Sequence, residues 1–153
     1  MSPVASPAPR RLARFTLPSV PGNERAAIAR VSESVAGLNL PARRLEKLKT
    51  AVAEATMNAI EHGNDNRGDV AVDIEVVLSG AEIVVAITDR GGRGDAGRLD
   101  AGGGGEVPDL ARKLSGHEQT GGWGLFLIRQ MVDGVEVTTN GERRTVRLTM
   151  RTQ

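Results

Sequence analysis

Between residues 70 and 89 apolar side chains recur at every second position: Val70, Val72, Ile74, Val76 and Leu78, then Ile83, Val85 and Ile87, with Ser79 and Gly80 between the two runs. A period of two places these side chains on one face of a pleated strand. So short a break leaves no room for a crossover, and Ser79-Gly80 reads as a tight turn, so the pair predicts an antiparallel hairpin. A hairpin with one apolar face has to be covered, which commits the rest of the chain to supplying a second layer.

The cover is legible upstream. In the stretch LEKLKTAVAEATMNAIEHGN, residues 45–64, Leu45, Leu48, Val52, Ala55 and Ala59 repeat at helical spacing. Pro41 opens this helix and it closes near His62-Gly63. An earlier helix is expected from a cap at Asn23 to about Ala36, with Ile28, Val31 and Val35 inward and Gly37 ending it. Ahead of that, Leu12, Phe15 and Leu17 mark a first strand over 11–17, stopped by Pro18 and Pro21. Downstream, Leu125, Phe126, Leu127, Ile128, Met131 and Val132 suggest a helix with a wide buried side. Val135, Val137 and Thr139, a turn at Asn140-Gly141, then Val146, Leu148 and Met150 form a second hairpin. A short helix from Pro108-Asp109, containing Leu110, Ala111 and Leu114, completes the order β, α, α, β, β, long loop, α, α, β, β. Strands joined as hairpins without regular β-α-β alternation predict an α+β fold, a two-layer sandwich of a mostly antiparallel sheet with helices on one face.

Composition removes several functions. The 153 residues suit one domain, taken as 10–153, behind a Pro/Ala-rich leader over 1–9 with little to bury and an expectation of disorder. With no cysteine, disulfides and thiolate metal sites are excluded, and His62 and His117 are a poor basis for zinc. No apolar run approaches the roughly 18 residues of a membrane helix, and the start lacks the apolar core of a signal peptide. A cytoplasmic protein without membrane contact is expected. Twenty basic against 19 acidic residues give a net charge of +1, and the aromatics are only Phe15, Phe126 and Trp123, so direct nucleic-acid binding has neither charge nor stacking platform.

Glycine is the outlier, at 19 residues, most of them between positions 91 and 124. Gly92-Arg93-Gly94-Asp95-Ala96-Gly97 matches the dinucleotide pattern G-x-G-x-x-G, but no helix opens at its last glycine, as that motif requires. The phosphate loop ending in Gly-Lys-Ser/Thr is absent. A pocket from three separated pieces fits better. Glu54 and Asn58, four apart, share one flank of their helix, although a solvated face would look the same. Asp89 with Gly91 stands at a strand end, where a carboxylate accepts an N–H from an exocyclic amine such as that of adenine. Gly121, Gly122 and Gly124 offer bare backbone N–H groups to an anion at a helix start. Asn58 can complete the coordination of a Mg²⁺ ion shared with phosphate oxygens. Together they describe a site for Mg-ATP.

The order E-A-T-M-N-A-I-E-H-G (54–63), D-R-G (89–91) and G-G-W-G-L-F-L-I (121–128) resembles the ATP-binding domain of gyrase, Hsp90, histidine kinases and MutL, the Bergerat or GHKL fold. Within that group, over residues 11–150, the chain is similar to the bacterial anti-sigma factor serine/threonine kinases. The resemblance implies Glu54 as general base toward a substrate hydroxyl, Asn58 as the Mg²⁺ ligand, and Asp89 as acceptor of the adenine amine. It further implies Gly91 as the residue that lets the base approach and Thr120, Gly121, Gly122 and Gly124 as the phosphate-side turn. It implies two partners, a STAS-type anti-sigma factor antagonist that is phosphorylated and a sigma factor that is sequestered, and a homodimer.

Two departures stand beside it: Arg93 replaces the second glycine of the D-x-G-x-G pattern, and Thr120 stands where an arginine is often found. They favour a second reading, a binding module of the same fold that controls a partner by contact alone. The four glycines at 102–105 suggest a lid. Arg90, Arg93 and Arg98 are placed to meet phosphate or an acidic partner, and Trp123 to anchor a partner or pack beside the nucleotide. His62 suits the dipole at its helix end, and Arg10, Arg11, Arg14, Arg143, Arg144 and Arg147 are expected on a solvated surface.

Overall fold

The computed structural model describes residues 8–91 and 120–153, with only the backbone course given for 120–124. The elements are β1 (Arg10–Pro18), α1 (Glu24–Val35), α2 (Ala42–Asn58), β2 (Ala71–Ser79), β3 (Glu82–Asp89), α3 (Thr120–Met131), β4 (Gly134–Asn140) and β5 (Arg143–Arg151). The strands form one sheet in the order β1-β2-β3-β5-β4, and every neighbouring pair is antiparallel. The expected α+β architecture is therefore observed. The readings that fall on residues 92–119, the lid glycines, Arg93, Arg98, His117 and the helix from Pro108, lie outside the described residues, as does most of the expected leader.

Register explains the core. Ile74 pairs with Ile87 and Ile87 with Val146, Val76 with Val85 and Val85 with Leu148, so apolar rows run across the sheet on one face. All six are buried, as are Ala27, Val31 and Val35 of α1, Leu48, Ala51, Val52 and Ala55 of α2, and Leu125 and Ile128 of α3. Each fully buried Val, Leu or Ile contributes about 1.5–3 kcal/mol relative to exposure, and slipping any strand by one residue would turn its row to solvent. The other face is polar: Arg11 pairs with Glu75 at 2.9 Å, and the Thr88 and Thr145 hydroxyls meet at 2.8 Å. Helix α2 packs between α1 and α3, and the small Ala51 and Ala55 permit that crowding.

Several local expectations change. Asn23 does not cap α1 with its side chain, whose Nδ2 donates to the Pro18 carbonyl at 2.8 Å. Gly37 does not end α1. The chain adds a 3₁₀ turn, Ala36–Leu38, and the left-handed residue is Asn39, φ 55°, a side chain that tolerates that conformation. Ala27 takes the core position and Ile28 is only half-buried, while Leu127 of α3 is exposed. Both hairpin turns fall one residue later than expected, because Ser79 pairs with Glu82 and Asn140 with Arg143. Gly80 (φ 61°) and Gly141 (φ 64°) thus occupy the first central position, where a two-residue turn with positive φ suits glycine.

Candidate functional site

Helix α2 does not stop at Asn58. It widens into a π turn, Ala59–Gly63, a form that is rare and recurs at functional sites. The Asn64 N–H reaches back to the Ala59 carbonyl at 2.8 Å, and left-handed Asp65 and Asn66, φ 55° and 57°, then turn the chain toward β2. The π turn packs against β3, bringing Gly63 onto the carboxylate of Asp89. A methyl group at Gly63 would run into that carboxylate, and one at Gly91 into the Gly63 carbonyl. Gly91 is therefore required by packing alone. Gly63, read from sequence only as a helix end, forms the wall of the site.

Asp89 is 1% exposed. Its Oδ1 accepts the Gly91 N–H at 2.8 Å. Its Oδ2 accepts from Arg144 Nη2 at 3.0 Å and Nε at 3.3 Å. Burial pushes the Asp89 carboxyl above its usual range, against the opposing charge and hydrogen bonds of Arg144 and the Gly91 N–H. Arg144 is 0% exposed, which corrects the expectation of a solvated arginine. Val146, Leu148 and Met150 alternate inward along β5, and two residues back the same parity puts position 144 on the buried face.

Asn64, 4% exposed, is a second residue the sequence did not single out. Its Oδ1 accepts the Arg90 N–H at 2.8 Å, and its Nδ2 donates to Ser19 Oγ at 2.9 Å and to the Ala71 carbonyl at 3.2 Å. Ser19 in turn donates to the Val70 carbonyl at 2.7 Å. One amide thus ties the ends of β1 and β2 to the residue after Asp89. The Arg90 guanidinium lies beside Asp73, its Nη2 3.7 Å from Asp73 Oδ2 on the polar face of the sheet. Beside these residues opens a cleft of about 410 Å³ lined by Gly63, Asn64, Arg67, Val70, Arg90 and Glu142.

On α2, Glu54 and Asn58 share a flank as the spacing requires. Glu54 is half-buried, and its carboxyl is raised above the ordinary range first by burial and then by the like charge of Glu61. Asn58 is 3% exposed, and its Oδ1 is buried without a hydrogen-bond partner among the described residues. An orphaned carbonyl oxygen is costly to bury, and a hard cation such as Mg²⁺ takes oxygen ligands of this kind. Among the described residues no cluster of three His, Cys, Asp or Glu could hold a metal by itself. At the other end, α3 begins at Thr120, so Gly121, Gly122 and Gly124 lie inside its first turns rather than ahead of them. The first four N–H groups of a helix have no internal partner. Residues 92–119, which precede α3, lie outside the described residues.

The chain matches the model of the histidine kinase-like ATPase domain over residues 17–150. It is 32% identical over 124 residues to the anti-sigma F factor of Clostridium botulinum, covering 80% of this chain and 81% of the relative. To the serine-protein kinase RsbW of Bacillus velezensis it is 34% identical over 102 residues, 63% of this chain and 58% of the relative. Among solved structures it is similar to the SiaB–SiaC complex of Pseudomonas aeruginosa, with TM-score 0.65, 16% identity, and 92% and 90% of the two chains covered. It is also similar to the RsbU and RsbW domains of a Mycobacterium tuberculosis protein, with TM-score 0.62 and 18% identity over 95% of this chain and 32% of that one. At such identities the solved structures share the fold. The match across 17–150, on an antiparallel sheet covered by α2 with its π turn against Asp89, places this chain in the histidine kinase-like ATPase domain family.

Proposed function

We propose that the chain is an ATP-dependent serine/threonine protein kinase that also acts as an anti-sigma factor. The observation that carries the reading is Asn58 Oδ1, buried and unpartnered one helical turn from a glutamate whose carboxyl is raised. Such an arrangement leaves one oxygen for a cation on ATP phosphates and one base beside it. Asp89 accepts the adenine amine, the close pair Gly63 and Gly91 shapes the wall beside it, and the N-terminal turn of α3, with Thr120, Gly121, Gly122 and Gly124, faces the phosphates. A Mg²⁺ ion held through Asn58 would neutralise charge on the phosphate oxygens. Glu54 takes the proton from a serine or threonine hydroxyl, whose oxygen bonds to the γ-phosphorus as the bond to the β-γ bridging oxygen breaks and ADP departs.

The names of the relatives, anti-sigma F factor and serine-protein kinase RsbW, support a STAS-type anti-sigma factor antagonist as the phosphorylated partner and a sigma factor as the sequestered one. A homodimer acting in the cytoplasm fits the same reading, and no described helix is long and apolar enough to cross a membrane. Arg93 and Thr120 favour the second reading, a module of the same fold that controls its partner by contact only.

Calorimetric titration with ATP, with and without Mg²⁺, tests the site. Binding is expected to need Mg²⁺ and to be lost in Asp89→Asn; absence of binding by the wild-type protein would leave only the contact reading. Glu54→Gln is expected to bind ATP and partner yet transfer no phosphate, and transfer at the wild-type rate would remove Glu54 as base.

A further inference from the structure

Asp89 and Arg144 are the only charged side chains among the described residues that are both fully buried and paired, and the form of the pairing is unusual. Arginine often meets a carboxylate as a fork, one N–H to each oxygen. Here Nε and Nη2 converge on Oδ2 alone, while Oδ1 takes the Gly91 N–H. A carboxylate oxygen accepts about two hydrogen bonds. Among the described residues Oδ2 is thereby filled, and Oδ1 keeps one acceptor for one incoming N–H.

We propose that Arg144 is a positioning residue that decides which purine the site takes, by holding Asp89 as a carboxylate with a single spare acceptor, so that a 6-amino purine is bound and a 6-oxo purine rejected. The inference rests on the nucleotide reading above. A carboxylate accepts from the amine of adenine and repels a carbonyl oxygen at the same place. A neutral carboxylic acid does the reverse, because its O–H donates to a 6-oxo group. Burial drives Asp89 toward the neutral form, and the guanidinium opposes it. Deleting the guanidinium therefore turns an acceptor into a donor without moving the residue that reads the base. Among the described residues, the other charged or titratable groups on the elements packed beside Asp89 include Glu61 and His62 on the π turn, Arg90, whose guanidinium pairs with Asp73, and Glu142 in the turn before β5, at the cleft. Arg144 is the cation that ion-pairs with Asp89 among the described residues.

The test is calorimetric titration of the full chain with the magnesium salts of ATP and inosine triphosphate, between about pH 6 and about pH 8. The wild-type protein is expected to prefer ATP by more than roughly tenfold, with little change across the range. In Arg144→Met the ATP affinity should fall roughly tenfold per pH unit below the raised carboxyl pKa, while inosine triphosphate gains and the preference collapses. Arg144→Lys should retain the wild-type preference, because a contact on one oxygen needs a charge rather than a fork. If Arg144→Met does not fold, the double variant Asp89→Asn, Arg144→Met buries no charge, and its amide, donor and acceptor at once, should discriminate weakly at every pH. Equal loss of both nucleotides in Arg144→Met, an unchanged preference there, or full discrimination in the double variant would overturn the proposal. Failure of the wild-type protein to bind either nucleotide would instead sink the nucleotide reading, and this inference with it.

Discussion

Two polar clusters flank the π turn, Glu54 and Asn58 before it and Asn64 with Asp89 after it, and they are finished to different degrees. Around Asp89 the groups meet partners: Arg144 and the Gly91 N–H on the carboxylate, and Arg90 N–H, Ser19 and the Ala71 carbonyl on Asn64. On α2, Asn58 Oδ1 is buried with none, and Glu54 carries a carboxyl that its surroundings push toward neutrality. In the first cluster each polar group has a partner within the chain before anything binds. The second is left incomplete, and that incompleteness costs stability which a ligand can restore.

The contrast can be broken most severely at Arg144. Arg144→Met should lose about 3–5 kcal/mol in urea unfolding at neutral pH, because the buried carboxylate loses its partner and must stay charged alone or take up a proton. Replacing Asp89 and Arg144 together should cost far less, and equal losses would mean that the pair acts through volume rather than charge. Next comes Asn64→Ala, which orphans the Arg90 N–H and the Ala71 carbonyl, with an expected loss of about 1–3 kcal/mol and faster amide exchange at Arg90. Asn58→Leu should run the other way. Unfolding should show no loss, or a gain of up to about 1 kcal/mol, while Mg²⁺-dependent ATP binding disappears; a destabilised Asn58→Leu would mean that the orphaned oxygen has a partner in the folded chain.

The smallest effect is expected at Glu54. Its folded pKa lies above the ordinary 4.5, so the folded state binds more protons in the window just above that value. Stability therefore falls as pH rises through the window and stays lower beyond it. Glu54→Gln should remove that slope, leaving a variant slightly more stable at neutral pH and no more stable at strongly acidic pH.

The hairpins and α2 were legible because burial on one face writes its period into the sequence, in Val72, Ile74 and Val76 and in Leu48, Val52 and Ala55. The turns were misplaced by one residue because the apolar rows across the sheet, Ile74–Ile87–Val146 among them, fix register more strongly than the turn dipeptides. Glu54, Asn58 and Asp89 could be found because their types and spacing carry chemistry. Arg144 was hidden by its charge: arginine beside Arg143, with Arg147 three residues on, reads as surface, and only its parity with Val146 and Leu148 says otherwise. Gly63 and Asn64 act through contacts with residues distant in sequence, which no local pattern encodes.

The meeting of Gly63 with Gly91 has a consequence for how this chain can change over generations. A side chain at Gly91 would enter the backbone of Gly63, which cannot be made smaller, whereas one at Gly63 would enter the carboxylate of Asp89. Enlarging Gly91 therefore has no single-step remedy, and enlarging Gly63 has one only through loss of Asp89. Among descendants of this chain Gly63, Asp89 and Gly91 should be inherited as a unit, while the polar face of the sheet is free to diversify one residue at a time.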